Sequence, residues 1–184
     1  MLPVRRLHRH VGMGGDKLVP AVAGEEVESR LGAAVRDRWE ELFDEVIDEV
    51  APFQGAHELM RDLRGRGHRV VLASSSIQKH LDRFLDLLDA GDVVDGWTTK
   101  DDVEATKPEP DLVQAALEKA GTEDAVMIGD TPWDIEAARK AGLDTLAVLT
   151  GGAYSERELR DAGAVAVFES VAELRSRLDD TPLS

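Results

Sequence analysis

Two aspartates four residues apart, Asp130 and Asp134, stand in the stretch VMIGDTPWDIEAARKAG, residues 126–142. An apolar run from Ala125 to Ile128 stops at Gly129, and Asp130 follows at once. Ile135, Ala137, Ala138 and Ala141 then fall at helical spacing, and Gly142 closes the segment. The pattern predicts a buried strand, a tight turn and an amphipathic helix. Pro132 suits the helix entry, where its missing N–H costs nothing. Asp130 would end the strand and Asp134 would lie in the first helical turn, facing the same crevice. Two carboxylates at the C-terminal edge of a parallel sheet suit a hard cation such as Mg²⁺. A turn aspartate followed by a helix-capping aspartate accounts for the same letters.

Two further residues join this pair. Ser74 ends the apolar run of VVLASSS. A hydroxyl there can bond a phosphoryl oxygen beside the N–H groups that open the next helix; a plain helix N-cap is the other reading. Lys107 lies in ATKPEPDL, where Pro108 pushes it toward extended backbone and Pro110 starts a helix. Alone it is a surface lysine. The ordered set of strand-Ser, Lys-Pro and strand-Gly-Asp-x-x-x-Asp is far more specific than any member.

The elements that must hold these residues alternate. From Ala56 onward the chain reads as a helix closed by Gly65 and Gly67, a strand over 69–74, a helix after Ser76, and a short strand over 94–99. A helix ended by Gly121, the strand before Asp130, a strand over 144–150, a helix capped by Ser155 with Glu158 three residues on, a strand over 164–168 and a last helix complete it. Apolar strands alternating with helices predict a parallel, doubly covered sheet. Before Pro52 the pattern is purely helical. Residues 16–23 predict a short helix capped by Asp16. Residues 25–50 predict a long one whose stripe is Val27, Leu31, Val35, Trp39, Leu42, Phe43, Val46, Ile47 and Val50, with its carboxylates as solvated surface.

The totals bound the function classes. The 184 residues are 42% apolar, enough for a core domain with a small accessory domain. A net charge of −15, from 37 acidic and 22 basic residues, argues against nucleic acid or an anionic membrane as partner. A small anionic substrate in a local basic pocket stays compatible with it. No cysteine is present, so neither disulfides nor thiolate metal sites arise. No apolar run reaches the roughly 18 residues of a membrane span, and the start lacks a signal-peptide core. A soluble cytoplasmic protein is expected, with its oligomeric state open. HVGMGGDKLV has only a superficial likeness to a phosphate loop, and no G-x-G-x-x-G follows a strand, so a dinucleotide-binding domain lacks support.

On these residues the chain resembles the haloacid dehalogenase superfamily, in particular its phosphoglycolate phosphatase and β-phosphoglucomutase-like members. Ser74 resembles the family's second motif, Lys107 in KPEPD its third, and Asp130 with Asp134 its fourth. The resemblance implies a Rossmann-like α/β core with a parallel sheet over residues 53–184 and a partial α-helical cap over residues 1–52. It implies a Mg²⁺-dependent phosphatase of small phosphoesters, acting through an aspartyl-phosphate. Asp130 and Asp134 would serve the metal, and Ser74 and Lys107 would hold the transferring oxygens. HVGMGGDKLV would close over the leaving group, with Lys17 as a cap contact to substrate. Ser75 and Ser76 stand where the family's dehalogenases carry asparagine, which favours phosphoesters, with Ser75 among the substrate contacts.

One family element has no counterpart. The first motif, an apolar strand followed by D-x-D-G-T, carries the nucleophile and the acid–base aspartate, and no D-x-D occurs anywhere in these residues. The expectation is that this central strand lies upstream of Met1, lost by truncation or a misplaced start, leaving this chain inactive. A vacant slot would then separate the strand ending at Ser74 from the strand ending at Gly129. A catalytically dead phosphate-binding or regulatory module is the alternative.

Overall fold

The computed structural model describes residues 3–184. Its N-terminal part is helical: α1 (Val4–His8), α2 (Gly15–Ala23) and α3 (Glu25–Val46), the last ending in a 3₁₀ turn, Ile47–Glu49. Gly24 turns the chain between α2 and α3 at φ +92°, a conformation that glycine adopts without a side-chain penalty. From α4 (Ala56–Gly65) the elements alternate as expected. They run β1 (Val71–Leu72), α5 (Gln78–Leu87), β2 (Gly96–Trp97), α6 (Asp111–Ala120), β3 (Val126–Gly129) and α7 (Pro132–Lys140). Then follow β4 (Asp144–Val148), α8 (Glu156–Ala162), β5 (Ala166–Phe168) and α9 (Val171–Ser176).

Every strand pairing is parallel. The strands nevertheless form two separate pieces, β1–β2 and β3–β4–β5, with no ladder between β1 and β3. The seam falls where the resemblance implies a further strand. The first piece is short: only Val71 and Leu72 pair, with Gly96 and Trp97, although 69–74 and 94–99 read as strands. β1 has a partner on one side only, so little of that run is fixed by a ladder. The two pieces share a core all the same. Leu146, Val148, Phe168, Leu174 and Leu178 pack with Leu59 and Leu63 of α4, and Val70, Val126 and Ile128 lean on the same cluster. The opposite face is covered by Ile135 and Leu159 against Ala147.

The helical part departs from expectation in two ways. Leu31, Val35, Trp39, Leu42 and Val46 of the α3 stripe are exposed, although α2 packs along the helix and Trp39 lies edge-on to His80. Three of the carboxylates read as solvated surface also dock the helix. Glu40 accepts from Lys100 (3.0 Å), Asp44 from Lys79 (2.6 Å) and from buried His80 (2.9 Å), and Asp48 lies 3.2 Å from Arg83. Four-residue spacing puts these three acids on one helix face. Phe43 of the stripe packs inward, 5.0 Å from His80 and 6.2 Å from Phe84, ring to ring. Among the described residues no helix is long and apolar enough to cross a membrane.

Candidate active site

β3 ends at Gly129, and α7 starts so close that a methyl on Gly129 would lie 2.6 Å from Asp134 Cβ. Glycine is what lets strand and helix meet here. Thr131 caps α7: its hydroxyl accepts from the Asp134 N–H (3.2 Å) and donates to Asp134 Oδ2 (2.8 Å). The same Oδ2 accepts the N–H groups of Asp130 (3.2 Å) and Thr131 (3.1 Å). Oδ1 receives Lys107 Nζ at 2.7 Å, in a pair with 17% and 5% of its side chains exposed. Asp134 is therefore both the capping residue and the anchor of Lys107, and both its oxygens are engaged.

Asp130 differs. Among the described residues no side chain donates a hydrogen bond to its carboxylate. Burial, and after it the neighbouring Asp134 charge, push its carboxyl above the usual range, with Lys107 opposing. It is a partly buried carboxylate short of positive charge. A hard cation wants about six oxygens in octahedral array, and the described residues contain no cluster of three or more acids or histidines suited to one. Asp130 fits as one ligand, and Asp134 is already committed to Lys107 and Thr131.

Residues 9–16 run across the mouth of this cluster. The Tyr154 hydroxyl accepts from Trp133 Nε1 (3.1 Å) and faces the carbonyls of Arg9 and Val11, each at 3.0 Å. His10 stacks with Trp133, centroids 6.3 Å apart. Gly12 sits so near Thr131 that a methyl there would lie 2.6 Å from its Cγ2. Asp16 does not cap α2, whose N-cap is Gly14. It reaches the core instead, accepting from the Thr106 hydroxyl and, at 3.2 Å, from the Thr106 N–H. The helical part is thus fastened beside Lys107 at one end and beside Asp130 at the other.

Ser74 lies across the seam, at the end of β1. Its N–H donates to Thr98 Oγ1 and its carbonyl accepts from that hydroxyl, both at 3.0 Å. Its own hydroxyl accepts from the Ser76 N–H at 3.1 Å. It is not the cap of α5, whose N-cap is Ile77. Neither Ser75 nor Lys17 makes a side-chain hydrogen bond or ion pair among the described residues. Three threonines escaped the sequence reading. Thr131 left a signal, a threonine three residues before an acid at a helix start. Thr98, fully buried, and Thr106 left none, since their partners are 24 and 90 residues away.

Residues 2–148, which span Ser74, Lys107, Asp130 and Asp134, match the haloacid dehalogenase-like hydrolases. The chain belongs to that family. It is 35% identical over 118 residues to the pyrophosphatase PpaX of Bacillus cereus, a stretch covering 61% of this chain and 53% of that protein. It thus spans about half the length of the curated relatives it matches. A hydrolase from Pseudomonas syringae superposes with a TM-score of 0.89 at 28% identity, over 98% of this chain and 84% of that one. CbbY from Rhodobacter sphaeroides, solved in complex with phosphate, superposes at 0.70 with 23% identity, over 88% of this chain and 75% of that one. This last likeness is one of fold. Among haloacid dehalogenase-like hydrolases, then, this chain presents a parallel core split at one seam, with a helical part fastened next to Lys107 and Asp130.

Proposed function

We propose that this chain carries the cap and most of the core of a Mg²⁺-dependent, phosphoglycolate phosphatase-like hydrolase of small phosphoesters. The observation that supports the reading most is the mostly buried Lys107–Asp134 pair beside the free carboxylate of Asp130, all at the end of β3. Lys107 meets the transferring phosphoryl oxygens, and Asp134 holds its ammonium in place. The Ser74 hydroxyl is a second donor to those oxygens. Asp130 contributes a ligand to Mg²⁺, which when bound offsets phosphoryl charge. Ser75 and Lys17 contact the substrate, Lys17 from the helical part.

The nucleophile and its acid–base partner are not among these residues, which contain no D-x-D. We assign them to a strand that would fill the seam between β1 and β3, followed by a segment covering the exposed stripe of α3. Loss of a covalent nucleophile costs on the order of 10⁶ in kcat in subtilisin. The 184 residues alone should therefore show no Mg²⁺-dependent hydrolysis of an aryl phosphate. A longer chain starting at an upstream apolar strand with D-x-D-G-T should hydrolyse it, and the first Asp→Asn variant of that motif should not. A stop codon upstream in frame, before any such motif, would overturn this assignment and leave a phosphate-binding module.

A further inference from the structure

We propose that Gly151 is a positioning residue for the Asp130 carboxylate: the missing side chain at 151 is the space in which that carboxylate lies. A methyl on Gly151 would overlap Asp130 Oδ2 and lie 2.8 Å from its Cγ and 3.2 Å from its Cβ. Because the clash includes Cγ, turning the carboxylate about its own axis does not relieve it. The side chain would have to leave its χ1 rotamer.

The loop is tied on both sides of Gly151. Just before Gly151, the Thr150 hydroxyl accepts from the Val171 N–H (3.2 Å). Just after it, the Gly152 N–H donates to the Leu149 carbonyl (2.9 Å). Further on, the Tyr154 hydroxyl is tied to Trp133 and lies against the carbonyls of Arg9 and Val11. Asp130 is held from the other side by its N–H, which donates to Asp134. The aspartate side chain is the part free to yield.

The neighbouring glycine provides the contrast. Gly152 has φ +68°, which disfavours any side chain, but a methyl there meets nothing within 4 Å. Gly151 has no such backbone constraint, so alanine is conformationally acceptable there and sterically excluded only by Asp130. The two positions separate a glycine needed for the backbone from a glycine needed for the site.

The functional weight of Gly151 rests on Asp130 being the cation's carboxylate, and the experiment keeps the two ideas apart. Asp130 χ1 is measured in the 184-residue chain from three-bond couplings to Cγ, for the unmodified protein, Gly151→Ala and Gly152→Ala. Gly151→Ala should keep its melting temperature and change the Asp130 rotamer. Gly152→Ala should melt earlier and keep the rotamer. An unchanged rotamer in Gly151→Ala overturns the proposal, and so does a change that appears equally in both variants. Mn²⁺ added as a paramagnetic probe should broaden the Asp130 and Thr131 amides in the unmodified chain and in Gly152→Ala, and much less in Gly151→Ala. Absence of broadening in the unmodified chain, alongside a shifted rotamer in Gly151→Ala, would count against the metal assignment of Asp130 and leave the positioning contact intact.

Discussion

Helix α7 buries Ile135, Ala137 and Ala138 and also its acid, Asp134, whereas α3 leaves Leu31, Val35, Trp39, Leu42 and Val46 in solvent and docks through exposed or half-exposed acids. Both helices carry an apolar stripe and a charged face in sequence. The difference lies in what stands opposite. α7 leans on β3, β4 and α8. The stripe of α3 meets α5 only through its aromatic rings and stays largely in solvent, and its charged face meets Lys79, His80, Arg83 and Lys100. The contrast teaches that an amphipathic pattern states which face can be buried, while burial itself needs a second surface.

The largest effect that tests this contrast is in the acids. Asp134→Ala removes the partner of a mostly buried lysine, which typically costs about 3–5 kcal/mol. A urea midpoint shift of that size is expected. Asp44→Ala breaks contacts to Lys79 and His80 from an exposed position. Its smaller loss should shrink further in high salt, as exposed pairs are screened. Equal losses at the two positions would dissolve the contrast.

Next come the apolar stripes. Ile135→Ala, at a site 1% exposed, should cost about 2–5 kcal/mol in the same assay. Val35→Ala should stay within about 0.5 kcal/mol, as for ordinary surface changes. A loss at Val35 comparable to that at Ile135 would show that the stripe is covered in solution.

Acid pH sharpens the comparison through Asp44, whose carboxyl is held below the usual range, first by Lys79 and then by His80. A depressed folded pKa stabilises the protein above the ordinary carboxylate pKa, and that contribution is lost as pH falls through the depressed value. The cap-to-core contact should therefore loosen in acid, read as faster hydrogen exchange in α3 than in α7.

The smallest expected effect has the opposite sign and belongs to Asp130. Its raised carboxyl means that the folded state holds the proton more tightly than the unfolded chain. Stability is then lost as pH rises from the ordinary carboxylate range through the raised pKa. Asp130→Asn should melt slightly higher than the unmodified chain near neutral pH and equal to it in strong acid. A lower melting temperature for Asp130→Asn near neutral pH would show that the carboxylate is better compensated than its surroundings indicate.

What the residues determined by themselves was local. The helix starts at Thr131 and Ser155, with their acids three residues on, form capping boxes, because those hydrogen bonds close within one turn. Gly121 ends α6 in the left-handed region for the same short-range reason. The β–α alternation fixed parallel pairing, and the order of Ser74, Lys107, Asp130 and Asp134 pointed to the family before any contact was visible. Tertiary structure decided everything that needed a distant partner. Asp16 was legible as a cap, but Thr106, 90 residues away, takes its carboxylate. Ser74 was legible as a cap of α5, but that helix begins at Gln78 after Ile77, and Thr98 holds the serine's backbone. Asp130 and Asp134 are the same residue type one helical turn apart, and only the arrival of Lys107 and Thr131 at Asp134 separates an engaged carboxylate from a free one. Spacing along the chain encodes hydrogen bonds that close within a turn; which charge meets which, and which apolar face finds a cover, depends on segments the spacing does not bring together.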